Sequence, residues 1–231
     1  MLNKKAFTLA EVLITLGIIG IVAAITIPTL ITKYQKKVTV TRLKYAYSVL
    51  SQAIEQAEAT NGDITNWNFD ENVFEKYLMP NMKKVKKYNS VYGYNALGIT
   101  YKQISGIPET GLAVMYARTI YILANGTQIF FYPTSTNSTV KGLIIDINGF
   151  SKPNQFGKDL FCFFITKEHK LHPMGRYSTR ECPFTSEPNN DRNILKNSPC
   201  YAYACNKNSR GMWCGALIMT DNWKIAPDYP W

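Results

Sequence analysis

Residues 4–31 read KKAFTLAEVLITLGIIGIVAAITIPTLI, and this stretch decides the fold of the first part of the chain. From Val12 through Ile31 it holds no charged residue. A helix of about 20 residues, rising about 1.5 Å per residue, spans the roughly 30 Å hydrocarbon core of a bilayer. The stretch therefore predicts a transmembrane helix over about residues 12–31.

The two lysines before this apolar run predict its orientation. Lys4 and Lys5 lie on a very short N-terminal segment, and basic residues on short segments favour the cytoplasmic side. We therefore expect a single-pass membrane protein, with its N-terminus in the cytoplasm and the chain after Lys33 outside it.

A cleaved secretory signal peptide is the plainer interpretation, with Ala23 and Ala24 as small residues for a cleavage site. Two features oppose it. The apolar run is longer than the roughly 7 to 15 residues of a signal-peptide core. Glu11 also stands at its start, and a carboxylate in lipid is costly unless it is paired.

The string KKAFTLAEVL resembles the N-terminal cleavage and methylation motif of type IV prepilins and type II secretion pseudopilins. The resemblance implies that the membrane is the bacterial inner membrane. It also implies that a prepilin peptidase cuts between Ala6 and Phe7 and methylates the new amine of Phe7. The family most often has Gly at the position of Ala6. Because Ala is also small, we expect slower processing at worst.

The same resemblance gives Glu11 a role in assembly. After cleavage, the charged amine of Phe7 needs a counter-charge in the membrane, and Glu11 is four residues away on the same helical face. The resemblance implies that Glu11 meets the amine of a neighbouring pilin-like subunit, in a filament of identical or different subunits. Pairing within one chain, or a Glu11 carboxyl kept protonated in lipid, are the alternatives.

Pro28 removes one backbone hydrogen bond inside the apolar run and predicts a kink or local loosening of the helix. Pilin-like subunits carry a proline near this place, which implies that the loosening helps the helix to adapt inside the filament. An ordinary kink without a role in assembly is an equally good interpretation.

Beyond Lys37, apolar residues recur every three or four positions and predict an amphipathic helix that ends at Asn61-Gly62. These positions are Leu43, Tyr47, Leu50, Ile54 and Ala57. The expected organisation is a leader peptide over residues 1–6, a long helix over 7–60 and an exported α+β domain over 61–231.

The exported domain reads as an antiparallel sheet after a connector with one helical piece, Glu71 to Leu78, stopped by Pro80. Strands are predicted over 119–124 and 127–132, around an Asn125-Gly126 hairpin turn, and over 140–147 and 160–165. The expected fold is α+β and pilin-like: a long N-terminal helix with a transmembrane first half, packed on an antiparallel β-sheet.

The segment between the last two predicted strands carries four Asx residues, Asp146, Asn148, Asn154 and Asp159. Oxygen ligands on a turn suit calcium, and some pseudopilins hold calcium in such a loop. However, the spacing is not that of an EF-hand and no bidentate Glu follows. Asx residues also form turns without a metal, and this interpretation is favoured. No other cofactor is expected.

The C-terminal third carries all five cysteines, with none in a C-x-x-C pair: Cys162, Cys182, Cys200, Cys205 and Cys214. In an exported domain they predict up to two disulfides and one free thiol, in an unspecified pairing. Residues 173–199 read as a long surface loop, and the segment from Cys214 reads as strand-like. Trp223, Tyr229 and Trp231 are expected to cover the end of the sheet, with a partner surface as the alternative.

The sequence shows no catalytic motif. His169 and His172 form H-K-L-H rather than H-E-x-x-H, so a surface position is expected for both. The formal net charge is +10, but the lysines form short clusters without a recognition motif, so specific nucleic-acid binding is not expected. The resemblance implies a structural subunit of a type II secretion pseudopilus rather than an enzyme. A type IV pilus or DNA-uptake pilin, and a membrane-anchored binding module, are the alternatives.

Overall fold

The computed structural model describes residues 8–69, 72–82, 85–89, 99–110, 119–132, 140–178 and 187–231. Within these ranges the fold is α+β and pilin-like, as predicted: a long N-terminal helix is followed by an antiparallel sheet. The chain forms two compact units, residues 1–38 and 39–231, so the boundary between the units falls inside the long helix.

Helix α1 comprises Leu9–Asn61 and ends where the sequence predicted. Gly62 adopts a left-handed backbone with φ of +81°, which glycine tolerates without steric cost, and its N–H donates to the carbonyl oxygen of Glu58 at 2.9 Å. The predicted apolar face of the second half is buried, except that Tyr47 is half-buried. Its buried residues are Thr39, Leu43, Ala46, Leu50, Ala53, Ile54 and Ala57.

The connector after α1 is built from short helical turns. They are Ile64–Asn66 and Met79–Asn81, both 3₁₀, and Phe74–Leu78, which is π-helical. The predicted helical piece is present and ends at Leu78 as expected, but Pro80 does not end the helical backbone, because Pro80 lies inside the second 3₁₀ turn. Proline at the start of a helical turn removes no hydrogen bond, since those N–H groups have no partner within the turn.

The sheet found in the described residues has six strands in the order β1 to β6, and each neighbouring pair is antiparallel. The strands are β1 Lys86–Asn89, β2 Thr119–Ile122, β3 Gln128–Tyr132, β4 Val140–Asp146, β5 Leu160–Thr166 and β6 Lys170–Pro173. Strands β2 to β5 were predicted. The edge strands β1 and β6 were not, because each has four residues and neither shows a clear apolar alternation.

The β2–β3 hairpin forms around Asn125-Gly126 as predicted, but its loop has three residues rather than two. Leu123 N–H donates to the Thr127 carbonyl at 2.8 Å, and Gly126 N–H donates to the Leu123 carbonyl at 2.9 Å. Gly126 has a φ of +85°, whereas Asn125 is not left-handed. A two-residue type I′ turn needs positive φ at both central residues, so the longer loop with one left-handed glycine forms instead.

Strand β5 is buried along its whole length. Phe163 of β5 packs against Tyr47 of α1, with ring centroids 6.0 Å apart. Residues Cys214–Thr220 lie against β5 as a helix, α3, so the strand-like interpretation of this segment is wrong. A short apolar run that is buried on all sides has no period that separates strand from helix.

The long surface loop predicted for residues 173–199 is partly regular. Helix α2 comprises Arg192–Asn197, and Asp191 caps it by accepting the Asn193 N–H at 2.8 Å. Residues 179–186 lie outside the described ranges. The C-terminal aromatic residues pack on the domain: Tyr229 is buried and donates its hydroxyl to the Gly157 carbonyl at 2.6 Å, while Trp223 lies 5.4 Å from the Tyr47 ring.

Candidate processing and assembly site

The start of α1 is organised by Thr8 and Glu11. The Thr8 N–H and hydroxyl each donate to Oε2 of Glu11 at 2.8 Å, and the Glu11 N–H donates to Oγ1 of Thr8 at 3.3 Å. This reciprocal arrangement is a capping box, which satisfies N–H groups that have no partner inside the helix. Glu11 is thus held at the first turn. The predicted cleavage residues Ala6 and Phe7 lie outside the described residues.

The apolar part of α1 is unburied in this structure. Its most apolar window of 18 residues has a mean hydropathy of 2.4, and 0% of that window is buried. The most exposed of its large side chains are Leu9 at 78%, Ile25 at 70% and Leu30 at 68%. A helix of this length and composition can cross a membrane, whereas the core helix of a soluble domain would be buried. These features fit an inner-membrane anchor.

Polar groups inside the apolar segment are satisfied locally. The hydroxyls of Thr26 and Thr32 donate to carbonyl oxygens one turn earlier, those of Val22 and Pro28, both at 2.9 Å. The helix runs through Pro28 as one element. The kink and its role in filament packing stay a prediction.

The four predicted calcium candidates come together in the loop between β4 and β5. Asp146 accepts the Asn148 N–H at 3.1 Å, and the two oxygens of Asp159 accept the N–H groups of Asn154 and Gln155 at 2.6 Å each. These bonds stabilise the turn, which is the role that the sequence favoured for the Asx residues, and they use the side chains of Asp146 and Asp159.

The loop nevertheless brings two buried carboxyl groups together. Asp146 is 0% exposed and Asp159 is 2% exposed. Burial and the neighbouring Asp159 raise the pKa of Asp146 well above its usual range. The hydrogen bonds that Asp146 accepts lower its pKa, but by less. The side-chain oxygens of Asn148 and Asn154 are buried without a hydrogen-bond partner. Calcium binding stays a proposal, and no group of three or more His, Cys, Asp or Glu in the described residues is placed to hold a metal ion.

Comparison with known proteins matches the two parts of the chain to different families. Residues 29–231 match the family described as "Family of unknown function (DUF6613)". The chain belongs to this family. Residues 1–27 match the prokaryotic N-terminal methylation motif, which makes this member of the family a type IV pilin-like substrate of prepilin peptidase. No significant match is found among curated proteins or among solved structures.

The two histidines of the pilin-like protein are not both on its surface. His172 is 4% exposed, and its Nε2 has no hydrogen-bond partner. Its ring lies 4.8 Å from that of Tyr177, which stacks on His169 at 3.7 Å. Burial lowers the pKa of His172 to about 4. The surface prediction fails for His172 because β6 pairs with β5, which the sequence did not reveal.

Three described cysteines of the pilin-like protein are disulfide-bonded. Cys205 is bonded to Cys214, and Cys200 is also disulfide-bonded. Cys182 lies outside the described residues. Cys162 in β5 is a free thiol, it is 1% exposed, and burial raises its pKa well above the usual range. The expectation of a leftover thiol is thus met at Cys162, a choice that the sequence left open.

Two partners of the site residues escaped sequence reasoning. Thr8 could have been found, since T-x-x-E before an apolar run is the signature of a capping box. Tyr101, whose hydroxyl donates to Asp146 at 3.4 Å, could not, because 45 residues separate the two.

Proposed function

We propose that the protein is a structural subunit of a type II secretion pseudopilus. The subunit is cleaved between Ala6 and Phe7, methylated at the Phe7 amine, and assembled through α1. One observation carries the proposal: Glu11 is the single charged residue of α1 before Lys33, and the capping box holds it at the head of an unburied apolar segment.

Within the described residues, the capping box pairs the carboxylate of Glu11 with uncharged groups. Its two partners there are an amide and a hydroxyl, which donate hydrogen bonds but carry no charge. A carboxylate in lipid costs a few kcal/mol or more when it is unpaired. Cleavage before Phe7 creates an amine four residues from Glu11, so processing itself supplies a counter-charge. Pairing between neighbouring subunits also defines an axial offset, which pairing within one chain does not.

The proposed location follows from the same segment. α1 crosses the inner membrane over about residues 12–31, with Lys4 and Lys5 on the cytoplasmic side and residues 61–231 exported. A disulfide between Cys205 and Cys214 agrees with an exported domain, because disulfides persist in oxidising compartments.

The proposal is tested by mass spectrometry of the N-terminal peptide, with the chain expressed with and without a prepilin peptidase. We expect a mature chain that begins at N-methylated Phe7 only when the peptidase is present. Persistence of Met1, or a cut after Ala24, contradicts it and leaves an anchored or secreted domain.

Assembly is tested separately with Glu11→Ala, and Glu55→Ala serves as the control because Glu55 is an exposed acid on the same helix. We expect Glu11→Ala to abolish incorporation into filaments and Glu55→Ala to keep it. A membrane-anchored binding module, the alternative of another class, predicts that neither change affects localisation or binding.

A type IV pilus or DNA-uptake pilin remains the alternative within the pilin-like class. A compact sheet domain after this leader favours the secretion pseudopilus by a small margin. The neighbouring genes discriminate: an outer-membrane secretin with other secretion components supports the pseudopilus, and a retraction motor supports the pilus.

A further inference from the structure

The residues that follow the apolar segment carry an unusual concentration of positive charge. Between Glu11 and Glu55 the sequence has five basic residues and no acidic one. Three of the five, Lys33, Lys36 and Lys37, come directly after the apolar run. We call these three lysines the basic collar.

The basic collar forms one patch on α1. Positions i, i+3 and i+4 share a helical face, so the three side chains are neighbours. Lys33 and Lys37 are exposed, and Tyr34 beside them is 67% exposed. With the hydrocarbon core ending near Ile31, a rise of about 1.5 Å per residue puts Lys33 about 3 Å and Lys37 about 9 Å beyond it. The headgroup region begins there and is roughly 5 to 8 Å thick.

This charge lies on the side where it is least expected. In the proposed orientation Lys4 and Lys5 are cytoplasmic and the three lysines of the basic collar are outside, although basic residues near a membrane span favour the cytoplasm. A local attraction that holds these ammonium groups at the outer surface would offset that bias. Anionic lipid headgroups provide such an attraction.

We propose that the basic collar binds the anionic headgroups of phospholipids and so sets the depth of the subunit in the membrane before assembly. Tyr34 suits the same location, since its ring and hydroxyl match the boundary between lipid and water. The placement of the basic collar at the outer leaflet rests on the proposed function. Its affinity for anionic lipid does not depend on that function.

Native mass spectrometry of the full chain in detergent micelles tests the proposal. Phosphatidylglycerol and phosphatidylcholine are titrated into the wild-type protein, into K33Q/K36Q/K37Q, and into K152Q/K207Q/K224Q. The last variant loses the same charge from three lysines that are exposed in the domain. Glutamine keeps the helix propensity of lysine, so α1 is expected to stay folded. A K4Q/K5Q variant measures the binding due to the leader lysines.

We expect the wild-type protein to bind phosphatidylglycerol more tightly than phosphatidylcholine. Each lysine near an anionic surface contributes about fivefold in affinity, so the collar variant should lose on the order of a hundredfold and the domain variant close to none. Unchanged phosphatidylglycerol binding in the collar variant overturns the proposal, as does an equal loss in the domain variant. If lipid binding is kept and incorporation into filaments is lost, the basic collar contacts a neighbouring subunit instead. Failure of peptidase processing removes the pilin-like function but leaves this lipid measurement valid.

Discussion

Thr8 and Glu11 hold each other at the start of α1, where both donor groups of Thr8 reach the same carboxylate oxygen of Glu11 at 2.8 Å. Glu11 therefore has two roles that are chemically separable. As a hydrogen-bond acceptor it caps the helix, and as an anion it can neutralise the amine that cleavage creates. A glutamine keeps the first role and loses the second.

Replacing Thr8 by Ala removes the hydroxyl half of the capping box. Loss of such a cap costs about 1 kcal/mol, which corresponds to roughly fivefold faster hydrogen exchange at the first amides of the helix. NMR exchange measurements in micelles check this. Glu11→Gln should keep the protection but fail to enter filaments. Filaments that accept Glu11→Gln as readily as the wild type would show that the charge has no part in assembly.

The buried His172 makes the domain sensitive to acid. Its pKa is lowered from 6.5 to about 4, so its contribution to stability is present above the higher value and is lost as the pH falls through this window. The expected loss of unfolding free energy is roughly 3 kcal/mol. His172→Phe, which fits the aromatic neighbours Phe164 and Tyr177, should flatten this part of the pH profile.

Urea unfolding at a series of pH values measures the effect of His172→Phe. His169→Gln is the matched control, because His169 is a half-buried neighbour in the same cluster. Parallel pH profiles for the wild type and His172→Phe would mean that His172 is not buried in solution.

Asp146 has the opposite pH dependence. Its pKa is raised by burial and by Asp159, so its favourable contribution is present in acid and is lost as the pH rises through the raised value. Asp146→Asn keeps the shape of the carboxyl group and removes the repulsion. We expect this variant to gain stability relative to the wild type as the pH rises, with Glu55→Gln, a change at an exposed acid, following the wild type.

Calcium provides the discriminating measurement for the same loop. If the Asx residues only form the turn, calcium chloride leaves the melting temperature unchanged at neutral pH. A rise in the melting temperature that Asp146→Asn abolishes would instead assign a cation site to Asp146 and Asp159, because a ligand that binds only the native state stabilises it.

The disulfide-bonded and the free cysteines are expected to differ in their effect on stability and in their reactivity. The Cys205–Cys214 disulfide closes a separation of nine residues, for which chain entropy predicts a loss of about 2 to 3 kcal/mol in the double serine variant. Denaturant midpoints check this value.

Cys162 should resist thiol reagents until the protein is unfolded, since it is buried in β5. Rapid labelling of native Cys162, mapped by peptide mass spectrometry, would contradict the buried position.

Local patterns predicted the elements whose signals lie close together in the chain. Asn61-Gly62 marked the end of α1, and Asn125-Gly126 marked the β2–β3 hairpin. The apolar runs at β4 and β5 were equally clear. The prediction failed where the signal is not local. Residues Cys214–Thr220 fold as a helix against β5, and a short apolar run that is buried on all sides shows no hydrophobic period that would distinguish a helix from a strand.

The sequence by itself determined the apolar first half of α1, the motif around Phe7 and Glu11, and the positions of the four central strands. Each depends on residues within a few turns of one another, where propensity, charge and hydropathy act directly. Only the tertiary structure decided that Cys162 is the buried free thiol, that His172 is inside, and that Asp146 faces Asp159. Burial and electrostatic environment come from residues far apart in the chain, which the folded contacts bring together.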